Sequence, residues 1–272
     1  MIGKRRATPS LLLILSLVLV SFLQIGIVKA ESPIYIRADG SVEGTDKIQR
    51  DGNVYTFTNN IVNQSVVVEM DGIIIDGVDH LLQGNGTGAG ISLAYRSNVT
   101  IKNIQISDFN AGIGLYLAYN NTIFRNLLVN NLAGISLMDS NSSNITENTM
   151  MDNENGIYFF SCYNNNVHGN SFINNTLHVF DNVWNNPWLP QLLSMNFWNN
   201  GTTGNYWSDY NGTDSNGDGV GDTPYVIDQN NRDNYPIMTE FIIPEFPSWF
   251  IMPLFLAASL FTIIVRKKLR RL

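Results

Sequence analysis

Gly90-Ile91-Ser92-Leu93, Gly112-Ile113-Gly114-Leu115, Gly134-Ile135-Ser136-Leu137 and Gly156-Ile157-Tyr158-Phe159 recur at intervals of 22 residues. Ile101, Ile123, Ile145 and Val167 keep the same step. A period of this length marks a solenoid, in which each unit buries its apolar face only by stacking on its neighbours. Within a unit the apolar residues alternate with polar ones, as in Gly-Ile-Ser-Leu at 90–93 and Asn-Val-Thr-Ile at 98–101, so the elements are strands. Ser140-Asn141-Ser142-Ser143-Asn144 and Asn164-Asn165-Asn166 separate them. Short polar side chains of this kind bond to nearby backbone and favour turns. Three short strands and three turns use up one period, which predicts an all-β, single-stranded parallel β-helix with coils stacked at about 4.8 Å.

Side chains in one register form columns along such a stack. Asn126, Asn148 and Asn170 share a register between apolar neighbours and are expected to point inward, each amide bonding to the next as a ladder. The coil before them departs, with Asn103 one place early and Ile104 in register. Asn98, Asn120, Ser142 and Asn164 form a second column, assigned to a turn because asparagine tolerates left-handed backbone. Asp71-Gly72-Ile73-Ile74-Ile75-Asp76-Gly77 aligns with 97–103 at a spacing of 26, which places four extra residues in the turn around Gly84-Asn85-Gly86. Tyr35-Ile36-Arg37-Ala38-Asp39-Gly40 and Asn53-Val54-Tyr55-Thr56-Phe57 read as strands that start the helix and cap its first coil.

The ends of the chain point to export. Lys4, Arg5 and Arg6 precede an apolar run from Leu11 to Val28, and Val28-Lys29-Ala30 offers a cleavage site, which reads as a signal peptide over 1–30. Trp249 to Val265 is uncharged, about 25 Å long as a helix, and followed by Arg266, Lys267, Lys268, Arg270 and Arg271. It reads as a transmembrane anchor at 249–265 with a cytoplasmic tail at 266–272. Between them the expected order is N-terminal strands and cap (31–60), β-helix repeats (61–200), a C-terminal cap (201–240) and a linker (241–248).

Of 16 Lys and Arg, nine lie in the two end segments, whereas all 23 Asp and Glu lie between Glu31 and Glu245. The exported part is therefore strongly acidic. That argues against nucleic acid and anionic polysaccharide as partners, and favours neutral glycans or cation-bearing surfaces, while being equally what a soluble surface protein in salty surroundings carries. Cys162 is the only cysteine, so no intramolecular disulfide forms, and its counterparts Arg96, Ala118 and Ser140 place it by a turn. Nine Asn-x-Ser/Thr sequons include Asn63, Asn85, Asn98, Asn120, Asn144 and Asn211, candidate N-glycosylation sites outside the cell.

Asp214-Ser215-Asn216-Gly217-Asp218-Gly219-Val220-Gly221-Asp222 is the sharpest chemical motif. Asp214, Asn216, Asp218 and Asp222 stand at positions one, three, five and nine of a calcium loop, Gly219 at six, and Val220 at seven would give its carbonyl. Tyr225 stands where an EF-hand has its bidentate glutamate, and no helical pattern flanks the loop. The loop resembles those of dockerin-like and thrombospondin-type repeats, and a structural Ca2+ is expected there, the alternative being an Asp/Asn/Gly-rich turn with no metal.

The repeats Gly-Ile-x-Leu followed by Asn-x-Thr-Ile, the run Asn205-Tyr206-Trp207-Ser208-Asp209-Tyr210, and Asp222-Thr223-Pro224-Tyr225 through Asn234-Tyr235-Pro236 resemble the NosD-type right-handed parallel β-helix family, one of the carbohydrate-binding and sugar-hydrolase β-helices. The resemblance covers roughly 61–238. It implies right-handed coiling, export and glycan binding, and for the namesake members help in assembling the copper site of nitrous oxide reductase. Pro244-Glu245-Phe246-Pro247 with the apolar helix and basic tail resembles an archaeal PEF-type sorting signal, which implies a sortase-like processing enzyme as partner.

Three activities compete on these residues. Copper needs clustered Cys, Met or His, whereas Cys162, His80, His168 and His178 are scattered and Met150 falls in a core register. A glycosidase needs two facing carboxyls. Asp108 and Asp152 share a register two coils apart, roughly 10 Å, the upper edge for an inverting pair, and nothing else completes a catalytic set. Glycan binding has Tyr95, Tyr116, Tyr119, Tyr158 and Tyr163 on the coils, with Tyr119 and Tyr163 in one register as the candidate sugar platform. Trp184, Trp188, Trp198 and Trp207 crowd the far end and are expected to plug it. The resulting expectation is a membrane-anchored cell-surface β-helix acting as a glycan-binding or structural module. The alternatives are a polysaccharide hydrolase or lyase and, behind it, a copper-site assembly protein.

Overall fold

The structure, a computed structural model, describes residues 32–182 and 194–240. The signal segment, Trp184, Trp188, the linker, the apolar helix and the basic tail lie outside the described residues. What is described is a parallel β-solenoid of the right-handed type with about six turns. Among the described residues no element is an α-helix.

Each coil contributes one strand to each of three sheets. The first sheet stacks Ile34–Ile36, Val66–Val68, Ala89–Ser92, Ala111–Tyr116, Ala133–Met138, Asn155–Phe160 and Leu177–Asp181 in parallel. The second runs from Val54–Phe57 through Thr100–Lys102 to Met195–Phe197, and the third from Ile61–Val62 to Tyr206–Trp207. Pairing follows the 22-residue step, with Ile113 against Ile91 and Ile135, and Ile123 against Ile101 and Ile145. The earlier step of 26 also holds, since Ile75 pairs with Ile101. At the N-terminal end the ladder changes direction: Val42–Glu43 and Ile48–Asp51 pair antiparallel and close two of the edges.

The inward columns are built chiefly of buried Ile, Leu and Val. One of them grows in size toward the C-terminal end: Ile106, Leu128, Met150, Phe172 and then Trp207. The Trp207 ring stacks on Phe172 at 4.3 Å and 6°, and Trp198 meets Phe159 edge-on at 6.0 Å. Both tryptophans are buried, so they finish the core where no further coil follows.

The corners explain the asparagines. Four positions per coil take left-handed backbone, the columns starting at Tyr95, Asn98, Asn103 and Asp108, with φ between 47° and 68° throughout. After the last three of these the chain turns inward, placing Val99, Ile104 and Phe109 in the corners of the first coil and a polar side chain in those of the coils that follow. Asn126, Asn148 and Asn170 form the expected ladder: Asn126 Nδ2 donates to Asn148 Oδ1 at 2.9 Å and Asn148 Nδ2 to Asn170 Oδ1 at 3.0 Å. Each Oδ1 also accepts the backbone N–H of the coil below, at 3.0 Å for Asn126 and for Asn148. Asn148 Nδ2 reaches the Ile123 carbonyl at 2.9 Å, so the buried amide leaves no polar atom unpaired. Two further corners do the same work. Asn131, Asn153 and Asn175 make a second amide ladder, and Asn121, Ser143 and Asn165 a mixed one. In the cap, Asn205 and Asn196 take over these roles.

Glycine at 90, 112, 134 and 156 answers a different need. A Cβ at Gly112 would stand 2.7 Å from the Gly134 carbonyl oxygen, and one at Gly134 the same distance from that of Gly156. The backbones of successive coils approach too closely for any side chain.

Candidate functional site

Four groups of residues carry chemistry on this frame. The corner between the first and second sheets carries aromatic rings. Tyr95, Tyr116 and Tyr119 are 59%, 41% and 39% exposed, unusual for tyrosines on a stacked coil. Tyr95 and Tyr116 meet edge-on at 5.4 Å. Tyr119 bridges in parallel to Asn141, and Asn141 Oδ1 accepts the Tyr163 N–H at 2.6 Å. Tyr119 and the half-buried Tyr163 thus lie in line on alternate coils with an amide between them. Two coil spacings set their backbones roughly 10 Å apart.

The two shared-register carboxylates are turn residues. Asp108 and Asp152 both take left-handed backbone, with φ of 62° and 55°. Asp108 Oδ2 accepts Gln83 Nε2 at 2.8 Å and Ser107 Oγ at 3.1 Å.

In the cap loop the acidic side chains hold the backbone. Asp214 accepts the N–H groups of Gly217 at 2.7 Å and Gly219 at 2.9 Å, and Asp218 accepts that of Val220 at 2.9 Å. The Ser215 hydroxyl at 2.6 Å and its N–H at 2.9 Å hold the Asp222 carboxyl below the usual carboxylate range. Gly219, at the sixth position, has φ of 85°, the sharp turn such a loop requires. Among the described residues no three His, Cys, Asp or Glu side chains converge on one point.

The fourth group was missed in the sequence. His178 falls one step beyond Gly156 in the glycine register, and its carbonyl stands where the next glycine's would. Its ring is buried, Nε2 lies 3.1 Å from Asp209 Oδ1, and the pair lines a cavity of about 210 Å³ with Tyr225. Burial pushes the imidazole below its ordinary pKa, against the pull of Asp209. Ser208 Oγ lies 3.4 Å from the same Nε2. A nucleophile relay needs serine and carboxylate on opposite ring nitrogens, so this trio is not one. The register break at His178 was the available signal.

Most sequons sit on exposed asparagines: Asn85, Asn98, Asn120, Asn144 and Asn211 are exposed and Asn63 half-buried.

A family profile described as "Periplasmic copper-binding protein (NosD)" matches residues 26–212, well over half of the chain. The chain belongs to the NosD family. No curated protein matches it. The copper in that description can be tested on the donors of this NosD-family chain. Cys162 is buried, with burial pushing its thiol up to about 12, so it offers no thiolate. Met150 is fully buried in the core. His80 lies in a turn, His168 ends a strand of the second sheet and His178 sits in the first. These donors do not fit a copper centre.

Proposed function

We propose that this NosD-family chain is an exported surface module that binds neutral glycans along the corner carrying Tyr95, Tyr116, Tyr119 and Tyr163. The observation that carries the reading is the alignment of Tyr119 and Tyr163 about the Asn141 amide. A sugar ring packs its C–H face on an aromatic ring and offers hydroxyls to a neighbouring amide. The net charge of −7 favours uncharged glycans over anionic ones. Calorimetric titration with neutral oligosaccharides tests it: Tyr119→Ala weakens binding at least about fivefold, around 1 kcal/mol, the scale of a lost ring contact. Unchanged affinity in that variant removes the reading. Release of reducing or unsaturated ends from any polysaccharide replaces it with a hydrolase or lyase.

Two structural roles accompany this proposal. The 214–222 loop binds a Ca2+ that stiffens the cap, through Asp214, Asn216, Asp218, Asp222 and the Val220 carbonyl, with an affinity of roughly 10⁻⁴ to 10⁻³ M typical of extracellular modules. Ligand spacing and the Gly219 turn support it. Chelation with EDTA then lowers the melting temperature, and an unchanged melting curve rules it out. Residues 249–265 anchor the module at the outer face of the membrane, with the basic tail inside. Mass spectrometry of the C-terminal peptide from cell envelopes finds either residues 266–272, a retained anchor, or an end near Pro244, processing by a sortase-like enzyme.

A further inference from the structure

The cavity beside His178 lies away from the tyrosine corner and has its own chemistry. Its volume is about 210 Å³, below the roughly 300–1,000 Å³ of pockets for drug-sized ligands. Among the described residues, Asp209 is its only acidic lining residue, and neither Lys nor Arg lines it. The Asp209 side chain is 62% exposed. Among the described residues it makes no ion pair with Lys or Arg.

The groups that do touch Asp209 are neutral donors. Tyr225 Oη donates to its Oδ2 at 3.2 Å, and burial raises the phenol pKa, so the ring stays uncharged. The His178 tautomer follows from Asn175. Asn175 Oδ1 accepts from Asn153 at 3.0 Å, so the atom facing His178 Nδ1 at 3.4 Å is the amide nitrogen, a donor. Nδ1 is then the acceptor and the ring proton sits on Nε2, donated to Asp209 Oδ1 at 3.1 Å. Two neutral donors thus orient the Asp209 carboxylate without offsetting its charge, and it lines the cavity.

Apolar groups share the lining with Asn175, Thr176 and His178. Leu177 is 44% and Val226 69% exposed, both facing the cavity with Val179 behind them. Tyr225 is held flat on Trp207 at 4.2 Å and 8°, and Trp207 on Phe172, which makes a rigid aromatic wall.

We propose that this cavity binds a small organic monocation of the primary alkylammonium class. Its ammonium N–H groups bond to Asp209, and a short apolar body lies on Leu177, Val226 and Tyr225. A neutral ligand lacks the charge that this carboxylate is left to pair, and an anion is repelled by it. The site does not depend on glycan binding at the tyrosine corner.

The test uses the full chain labelled with ¹³C at Leu and Val methyls and at His, titrated with n-butylammonium, n-butanol and butyrate. n-Butylammonium is expected to shift the Leu177, Val226 and His178 signals at least tenfold more tightly than n-butanol, with butyrate inert. Asp209→Asn, at an exposed position, keeps the fold by circular dichroism and abolishes the difference between amine and alcohol. Val226→Ala weakens the amine several-fold, while Tyr119→Ala leaves it unchanged. Equal binding of amine and alcohol, amine-induced shifts only outside the cavity, an Asp209→Asn variant that binds as before, or no binding by the amine overturns the proposal.

Discussion

At the scale of single residues, stability is concentrated where the chain repeats. Asn148 satisfies the Asn126 N–H and the Ile123 carbonyl at once, in a corner that is fully buried. Each buried polar group left unpaired costs about 1–3 kcal/mol. Asn148→Ala orphans at least two, so a loss of about 3 kcal/mol and a fall in melting temperature of about 10 °C are expected by calorimetry. The glycine ladder gives a matched pair. Gly134→Ala drives a Cβ to 2.7 Å from a backbone oxygen that cannot move aside, and is expected to cost about 1–3 kcal/mol. Gly114→Ala meets only the Ala89 Cβ at 3.2 Å and is expected to be several-fold milder in a urea melt.

Strands and corners were legible in the sequence to different depths. The period located the sheets, because stacking forces residues 22 apart into contact, and the left-handed column at Asn98, Asn120, Ser142 and Asn164 followed from side-chain chemistry. The ladder at Asn126 was visible because apolar residues flank it. The ladder at Asn131, Asn153 and Asn175 has the same spacing, but it lies among other asparagines that face solvent, such as Asn130 and Asn174, and composition alone does not separate the inward from the outward set. The cap cavity was illegible for a deeper reason. It joins residues 31 and 47 positions apart, counted from His178 to Asp209 and to Tyr225, in a segment where the period has ended. Only the substitution of His178 for the next glycine marked it. That histidine makes the cap sensitive to pH. With its pKa lowered in the folded state, the neutral form is favoured by folding, so its contribution is present above about 6.5 and is lost as pH falls through the folded value. Melting temperature should therefore decline on acidification from pH 7.5 to 5 more steeply in the native chain than in His178→Gln, and equal slopes would contradict this.

Across the whole molecule, the three sheets act as a ruler. Side chains on the outside of the coils are set at multiples of one coil spacing, and any extended ligand must match that step. On the proposed reading, tyrosine rings repeated at this step pack against a polymer with repeated hydroxylated faces, and the backbones of Tyr119 and Tyr163 are roughly 10 Å apart. A ligand long enough to touch both gains from the second contact without a second loss of translational freedom. The direct test is the affinity of one neutral glycan series as a function of chain length, measured by titration on the native protein and on Tyr119→Ala. The account predicts a steep rise in affinity once the oligosaccharide spans two coils and the loss of that rise in Tyr119→Ala. Affinity that is absent at every length, or identical in the two proteins, would contradict it.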